Sequence, residues 1–571
     1  MTIHGAGRLS YSSGIGSPPL LRERIGQILD RTARTYPNAP ALVSCHQNQR
    51  FTYAEFREST EQFARALLHL GIQKGDRVGI WATNCFEWVI AQFATAKVGA
   101  ILVNINPSYR AYELKYALAQ SQCRTLIMAP GFRDSDFVSI FFEACPEALT
   151  TQPGAVSSES LPFLRELILI GDSAPSSFWC WEELAQMSDR VSEDALRARE
   201  ETLTFDDPIN IQYTSGTTGR PKGALLTHRN LVNNGLLVGE CMKLQQKDKI
   251  CIPVPFYHCF GMVMGNIAAV VVGATMVIPA EHFDPLATLR AVANEKCTAL
   301  YGVPTMFLGE LEHPEFSKFD LSSLRTGIMA GASCPILLMK RVVSEMNCRE
   351  ITIAYGQTES SPVIMQTRAD DPIEMRVNTV GKVLPHTEVK IVDTATGGIV
   401  PPGLSGELCT RGYGVMKGYY NNEQATKAAI DENGWLHTGD LAIMDDEGYC
   451  KIVGRLKDMI IRGGENIYPR EIEEFLYTCP DISEIQVFGI PDEKFGEEIA
   501  AFVKLKVDAT TTPEGIRRFC KGKIASFKIP KHIKIVNDFP MTVTGKIQKF
   551  CMREVLVEEL GLQKAAQIKT A

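Results

Sequence analysis

From about Leu67 to Gln357, short runs of Val, Ile, Leu and Met alternate with longer stretches of helical period. Arg77–Ala82, Ala100–Asn104, Thr125–Ala129, Leu167–Ile170, Thr298–Tyr301, Thr326–Ala330 and Ile351–Ala354 read as buried strands. Phe86–Val98 reads as a helix, with Asn84 placed to cap it. Such alternation predicts layered α/β subdomains around largely parallel sheet. Phe260–Ile278 is apolar for nearly the length of a membrane span. Asn266 interrupts it, and Gly273-Ala274 divides it before a β-branched run that ends at Pro279, so it reads as a core helix followed by a core strand.

After Val380 the texture changes. Glu388–Asp393 alternates polar and apolar residues, and turn signals recur at Gly397-Gly398, Pro401-Pro402-Gly403, Glu432-Asn433-Gly434 and Asp446-Glu447-Gly448. That pattern predicts a small antiparallel barrel or twisted sheet over about 380–456. Pro469–Tyr477 reads as a helix, Glu484–Gly489 and Ala500–Val507 as strands, and Pro513–Ile524 as a helix. The expected fold is therefore α/β, with an N-terminal body over 1–456 and a small, separate α+β domain over 457–571.

The chain has 571 residues, which suits three or four folding units at about 150 residues each. With 45% hydrophobic and 22% charged residues it falls in the globular range, which excludes fibrous and disordered classes. The net charge of −7 argues against nucleic acid as a partner. Sixteen cysteines without a Cys-x-x-Cys pair read as reduced, buried thiols rather than a zinc ribbon. The first twenty residues lack an apolar signal core. The expected location is cytoplasmic, with the mitochondrial matrix as the alternative.

The chemistry concentrates in Tyr213-Thr214-Ser215-Gly216-Thr217-Thr218-Gly219-Arg220-Pro221-Lys222-Gly223. Glycines let backbone N–H groups converge on an oxyanion, while hydroxyls and cations add charge-assisted donors. This is a phosphate loop by composition, but it lacks the Walker A spacing. No Gly-x-Gly-x-x-Gly follows the Arg77–Ala82 strand, which argues against a Rossmann dehydrogenase. His258 beside Cys259 invites a Cys–His nucleophile reading, rejected because no third orienting group is evident. His437 reads as a packing or turn residue.

The Tyr213–Gly223 string resembles the signature of the acyl-adenylate-forming superfamily, and further segments match in the family's order. Pro255-Phe256-Tyr257-His258-Cys259-Phe260-Gly261 is similar to the acyl-pocket motif. Tyr355-Gly356-Gln357-Thr358-Glu359 is similar to the nucleotide and Mg²⁺ motif, and Thr438-Gly439-Asp440 to the ribose motif. Gly454-Arg455-Leu456-Lys457-Asp458 resembles the hinge, and Pro540–Ile547 the C-terminal catalytic motif. The C-terminal string from Ser526 to Lys546 looks most like medium-chain fatty acyl-CoA synthetases.

The resemblance implies an AMP-forming acid–CoA ligase. ATP and a carboxylic acid give acyl-AMP and pyrophosphate, and coenzyme A then takes the acyl group. A stand-alone adenylating enzyme that loads a carrier protein is the alternative, and a catalytically silent scaffold is a third reading. By resemblance, Thr214, Ser215, Gly216, Thr217, Thr218, Gly219, Arg220, Pro221 and Lys222 hold the phosphates. Glu359 with Thr358 places Mg²⁺, Asp440 and Arg455 take the ribose, and Tyr355 with the Gly331-Ala332-Ser333 backbone meets adenine. Lys546 contacts the carboxylate and the α-phosphate. His258 gates the acyl pocket, and Gly356 leaves it depth. Lys457 is the hinge, and Gly463-Gly464-Glu465 lines the pantetheine tunnel. Lys521, Lys523, Lys528, Lys531, Lys534, Lys546 and Lys549 offer a basic face for the 3′-phosphate of coenzyme A, or a solvated charged surface. ATP, Mg²⁺ and coenzyme A are expected without a tightly bound prosthetic group, and a homodimer is an open possibility.

Overall fold

The computed structural model describes residues 9–214, 221–332, 334–462, 465–492, 494–542 and 547–563, without the side chains of Glu465 and Asn466. Among these residues, two large mixed sheets, an antiparallel sheet and a C-terminal sheet carry the architecture. In the first sheet Glu166–Leu169, Thr125–Met128, Arg77–Trp81, Ile101–Asn104 and Pro208–Thr214 run parallel, in that spatial order. Lys222–Thr227 and Gly418–Tyr419 then close that edge antiparallel. In the second sheet Glu350–Gly356, Thr326–Ala330, Ala299–Gly302, Lys249–Cys251, Thr275–Ile278 and Pro40–Ser44 run parallel. Both sheets carry helices on their faces, as parallel strands buried on both sides require.

Strand register follows the apolar runs read from the sequence closely, because each run is buried along its length. Phe86–Val98 is helical, and every residue after Phe86 is buried. This burial explains the absence of an amphipathic pattern. Lys97 sits on that helix with 1% exposure and is compensated by Asp30 at 2.7 Å and Glu200 at 2.9 Å.

Asn84 does not cap the helix; the cap position is Cys85. Asn84 instead donates to the Val254 carbonyl at 2.9 Å and accepts from the Phe256 N–H at 2.8 Å. Its amide thus clamps the backbone that leads to His258.

Phe260–Ile278 resolves as expected into helix and strand, with one refinement. Phe260–Ile267 is wound as a π-helix and Ala268–Val272 as α, before the strand Thr275–Ile278. Gly261 lies in the first turn of this wider winding, where a Cβ would lie 2.4 Å from the Pro255 carbonyl oxygen. Among the described residues, no helix is long and apolar enough to cross a membrane.

The 380–456 segment is an open antiparallel sheet. Thr387–Val392, Ser405–Gly412, Leu436–Met444 and Cys450–Arg455 pair in sequence order. Tyr11–Ser13 adds the outer strand, a long-range pairing that alternation within 380–456 does not reveal. The segment is not self-contained. Lys382–Val383 joins the second sheet and Gly418–Tyr419 the first. One apolar core fuses the second sheet to the antiparallel sheet through Met329, Ile351, Val389, Ile391, Leu408 and Ala442.

Beyond Ile460, the strands Ile460–Arg462, Ile482–Asp492, Gly496–Leu505 and His532–Ile535 pack against the helices Pro469–Leu476, Pro513–Cys520 and Lys549–Glu559. Their two apolar clusters draw only on residues from Ile460 onward among those described.

Candidate functional site

Strands from three sheets end around one region. Pro208–Thr214 and Lys222–Thr227 pair antiparallel with Thr214 opposite Lys222, so they bracket residues 215–220. Those six residues, the core of the expected phosphate loop, lie outside the described residues, as do Ser333, Gly463, Gly464 and Lys546. Thr326–Ala330 and Glu350–Gly356 are parallel neighbours, with Ala330 opposite Ala354. Gly331-Ala332 and Tyr355-Gly356 therefore emerge side by side at the carboxyl ends of adjacent strands, where open α/β sheets bind ligands.

Glu359 lies in the short turn Thr358–Ser360, is 9% exposed, and is held from two directions. Its Oε1 accepts from the Tyr419 hydroxyl at 2.7 Å and from the Thr214 hydroxyl at 3.2 Å. Its backbone carbonyl accepts from the Met416 N–H. Thr358 is buried beside it, 3.8 Å from the Cys259 sulfur.

Tyr419 was not legible as a site residue. It reaches Glu359 only because Gly418–Tyr419 pairs beside Lys222–Thr227. Its ring also receives the Lys222 ammonium, 4.6 Å from the centroid. One aromatic side chain thus ties a cation at the border of the phosphate loop to a carboxylate across from it. Tyr419→Phe keeps the ring and removes the hydroxyl. We expect acid-dependent ATP–pyrophosphate exchange to fall about 10-fold, the scale of one hydrogen bond to a charged group, with Mg²⁺ demand raised. Initial rates across a Mg²⁺ series check this; an unchanged series contradicts it.

Asp440 stands on Leu436–Met444, opposite Arg455 on the next strand. Its Oδ2 accepts from the Tyr355 hydroxyl at 2.8 Å, and its Oδ1 from Arg455 Nε at 3.1 Å. It is 7% exposed. Burial, with Asp440 next in weight, holds the Tyr355 phenol well above its usual range, so it stays a donor. The expected ribose and adenine residues therefore form a single hydrogen-bonded cluster. This arrangement ties the Tyr355 hydroxyl down and fixes its ring plane.

Gly356 is exposed, and a Cβ there would meet the Pro362 carbonyl oxygen at 1.9 Å. Close backbone approach thus gives this glycine a second reason, independent of pocket depth.

His258 accepts the Phe260 N–H at Nδ1, at 3.1 Å, where the π-helix begins. Cys259 next to it is 1% exposed, and burial pushes its thiol up to about 12. A neutral thiol is a poor nucleophile, in keeping with the rejected Cys–His reading.

His437 is not a turn residue. It is a strand position, opposite Cys409, with Nδ1 2.9 Å from Glu407 Oε2. The other Glu407 oxygen accepts the Gly439 N–H at 3.0 Å, which braces the ribose motif from behind.

Lys457 is exposed in the 456–458 turn between Cys450–Arg455 and Ile460–Arg462. Arg462 and Glu465 pair across residues 463–464, and Met541 and Ile547 form an antiparallel bridge across 542–546. The expected basic face is largely compensated. Lys528 meets Glu471 at 2.5 Å, Lys531 meets Asp492 at 3.3 Å, Lys549 meets Glu473 at 2.7 Å, and Lys534 pairs with Glu559.

Two buried carboxylates, each held by hydroxyl or cationic donors, thus define the candidate site, and comparison with known proteins assigns the class. The AMP-binding enzyme family model matches residues 29–420, and the model of its C-terminal domain matches residues 471–546. The chain belongs to the AMP-binding enzyme family. It is 52% identical over 546 residues to the putative acyl-CoA synthetase YngI of Bacillus subtilis, covering 96% of this chain and 99% of that protein. It is 43% identical over 560 residues to the mitochondrial medium-chain acyl-CoA ligase ACSF2 of Homo sapiens, covering 97% and 91%. Among solved structures, the anthranilate CoA ligase AuaEII bound to anthranoyl-AMP matches with a TM-score of 0.82 at 27% identity, covering 95% of this chain and 98% of that one. ATP-bound MatB from Rhodopseudomonas palustris matches with a TM-score of 0.78 at 27% identity, covering 93% and 99%. The chain is an AMP-forming acid–CoA ligase.

Proposed function

We propose that the acid is a medium-chain fatty acid, that Mg²⁺-ATP activates it, and that coenzyme A accepts the acyl group. The observation that carries the nucleotide part is the pair of fixed carboxylates. Glu359 is aimed by Tyr419 and Thr214, and Asp440 by Tyr355 and Arg455. The donor set around Glu359, a carboxylate with the hydroxyls of Thr214 and Thr358, fits a hard divalent cation. Bound there, Mg²⁺ would neutralise charge on the triphosphate.

The chain's own residues supply the rest. Residues 215–220 hold the β and γ phosphates, with Thr214 and Lys222 at their borders. Asp440 receives the ribose hydroxyls, and Tyr355 presents its face to adenine beside Gly331-Ala332. A carboxylate oxygen of the acid attacks the α-phosphorus, and pyrophosphate leaves. Lys546 neutralises charge that develops between acid and phosphate, so catalysis is positioning plus electrostatics.

Medium chain length is supported by the ACSF2 relatives and by the wholly buried apolar helix after His258. The test is a panel of straight-chain, branched and aryl carboxylates in ATP–pyrophosphate exchange. Peak kcat/KM among medium-length straight chains supports the proposal, and a peak at aryl acids overturns it.

We further propose a domain boundary near residue 456, with Lys457 as the hinge about which residues 457–571 rotate between half-reactions. Gly463-Gly464-Glu465 then lines the pantetheine path. Lys457→Pro fixes φ and removes a donor. It is expected to block thioester formation while sparing pyrophosphate exchange; equal loss in both half-reactions contradicts the hinge. The sixteen unpaired cysteines, all buried but Cys45 and Cys551, support a reducing location: the cytoplasm, or alternatively the mitochondrial matrix.

A further inference from the structure

Behind the ribose motif, the antiparallel sheet gathers three side chains of metal-ligating type. Glu407 and Cys409 lie two residues apart on Ser405–Gly412, and His437 is the cross-strand partner of Cys409. Positions two apart on a strand share a face, and the register shift between Glu407 and Cys409 places the extra residues, 438–440, on the opposite strand. Their ligand atoms all lie within 4.8 Å of one another. Cys409 Sγ is 3.4 Å from His437 Nδ1, and that nitrogen is 2.9 Å from Glu407 Oε2.

We propose that Glu407, Cys409 and His437 form a binding site for a thiophilic divalent cation such as Zn²⁺, coupled to the ribose motif through Glu407. Zinc bonds of about 2.3 Å to sulfur and about 2.0 Å to nitrogen, at tetrahedral angles, separate those two ligands by roughly 3.5 Å. The observed 3.4 Å already meets that spacing. The nitrogen–oxygen pair needs to open by only a few tenths of an ångström. A carboxylate also stands behind the imidazole. Asp431 Oδ2 is 3.8 Å from His437 Nε2, beyond hydrogen-bond distance but within a small side-chain shift of the orienting contact that metal-bound histidines make. Asp431 is itself anchored, its Oδ1 accepting the Asn433 and Trp435 N–H groups.

Two cations flank the cluster: Lys390, cross-strand partner of Cys409, and Arg411, two residues beyond Cys409, lie 4.4 Å and 4.6 Å from the centre of the Trp435 ring and pull against a third positive charge. His437 is 38% exposed in its side chain and Cys409 is buried, so a cation enters from the histidine side. Binding replaces the thiol proton, which leaves to solvent, and with Nδ1 on the cation the imidazole carries its proton on Nε2, toward Asp431. Thiolate, carboxylate and neutral imidazole then balance the cation's charge, and water completes the shell.

The site reports to the nucleotide cradle because Glu407 serves both. One oxygen meets the cation, while the other accepts the N–H of Gly439, next to Asp440. Drawing Glu407 toward a cation loosens that contact, so occupancy slows adenylation.

The test uses the nucleotide-free full chain freed of metal by chelator, titrated with Co²⁺ and then with Zn²⁺. One Co²⁺ per chain with a sulfur-to-cobalt charge-transfer band, displaced by Zn²⁺, is expected. Cys409→Ser, with the melting temperature of the parent, loses the band. Asp431→Asn keeps the turn's acceptor and weakens Zn²⁺ about 10-fold. With Mg²⁺ saturating, Zn²⁺ slows pyrophosphate exchange about 5-fold or more in the parent and not in Cys409→Ser. A Co²⁺ complex without the band, or a band that survives in both Cys409→Ser and Cys409→Ala, overturns the site. Binding with unchanged exchange overturns the coupling to Gly439.

Discussion

Glu359→Gln is expected to lower acid-dependent ATP–pyrophosphate exchange about 10³-fold while the protein still folds and melts near the parent temperature. Glutamine has the same shape, and its Oε1 can still accept from the Tyr419 and Thr214 hydroxyls. What it loses is the charge that holds a divalent cation against a triphosphate. Because the side chain is 9% exposed, solvent cannot replace that charge. The loss therefore falls on kcat and on Mg²⁺ dependence together. Excess Mg²⁺ recovers little, which separates this variant from Tyr419→Phe, where the charge remains and only its aim is lost. Exchange rates over a Mg²⁺ series, with melting curves as the control, decide the matter. Near-parent exchange in Glu359→Gln would remove Glu359 from the cation site.

Lys546→Ala carries the second large effect. It is expected to slow acyl-AMP formation by about 10²-fold or more, the scale for one preorganised charge contact. The transfer of a pre-formed acyl adenylate to coenzyme A should stay within a few fold of the parent. The Met541–Ile547 bridge and the Gln548 N–H bond to the Pro540 carbonyl at 2.8 Å brace the chain on either side of Lys546, so a melting temperature near the parent's is the expected control. Separate assay of the two half-reactions gives the answer; a burst of pyrophosphate equal to the parent's contradicts the role. Lys457→Pro is expected to show the opposite split, and the two variants together test whether one tail serves two reactions.

The buried strands were legible because their apolar runs are continuous, and a strand covered on both faces has no other sequence to offer. Pairings set by distant chain were not legible. Tyr11–Ser13 and Gly418–Tyr419 are short, and their partners lie hundreds of positions away. The same distinction divides the site. Thr214, Glu359, Asp440 and Arg455 could be named because they sit in motifs. Tyr419, Asn84 and Glu407 act on those motifs from other strands and loops, and each looks like an ordinary polar or aromatic residue in its own neighbourhood. Asn84 shows the limit clearly: a local rule made it a helix cap, whereas its amide is spent on the backbone at Val254 and Phe256.

The two-residue strand Gly418–Tyr419 leaves the antiparallel region to join the edge of the first sheet. It therefore behaves like a stitch between the antiparallel sheet and the first sheet. A chain in which those layers have formed but have not yet been sewn together would hold Glu359 without its Tyr419 bond, so nascent or damaged copies would activate ATP more slowly. Full activity then reports that assembly has finished, and a clip within residues 413–422 should slow the enzyme while both large sheets stay folded.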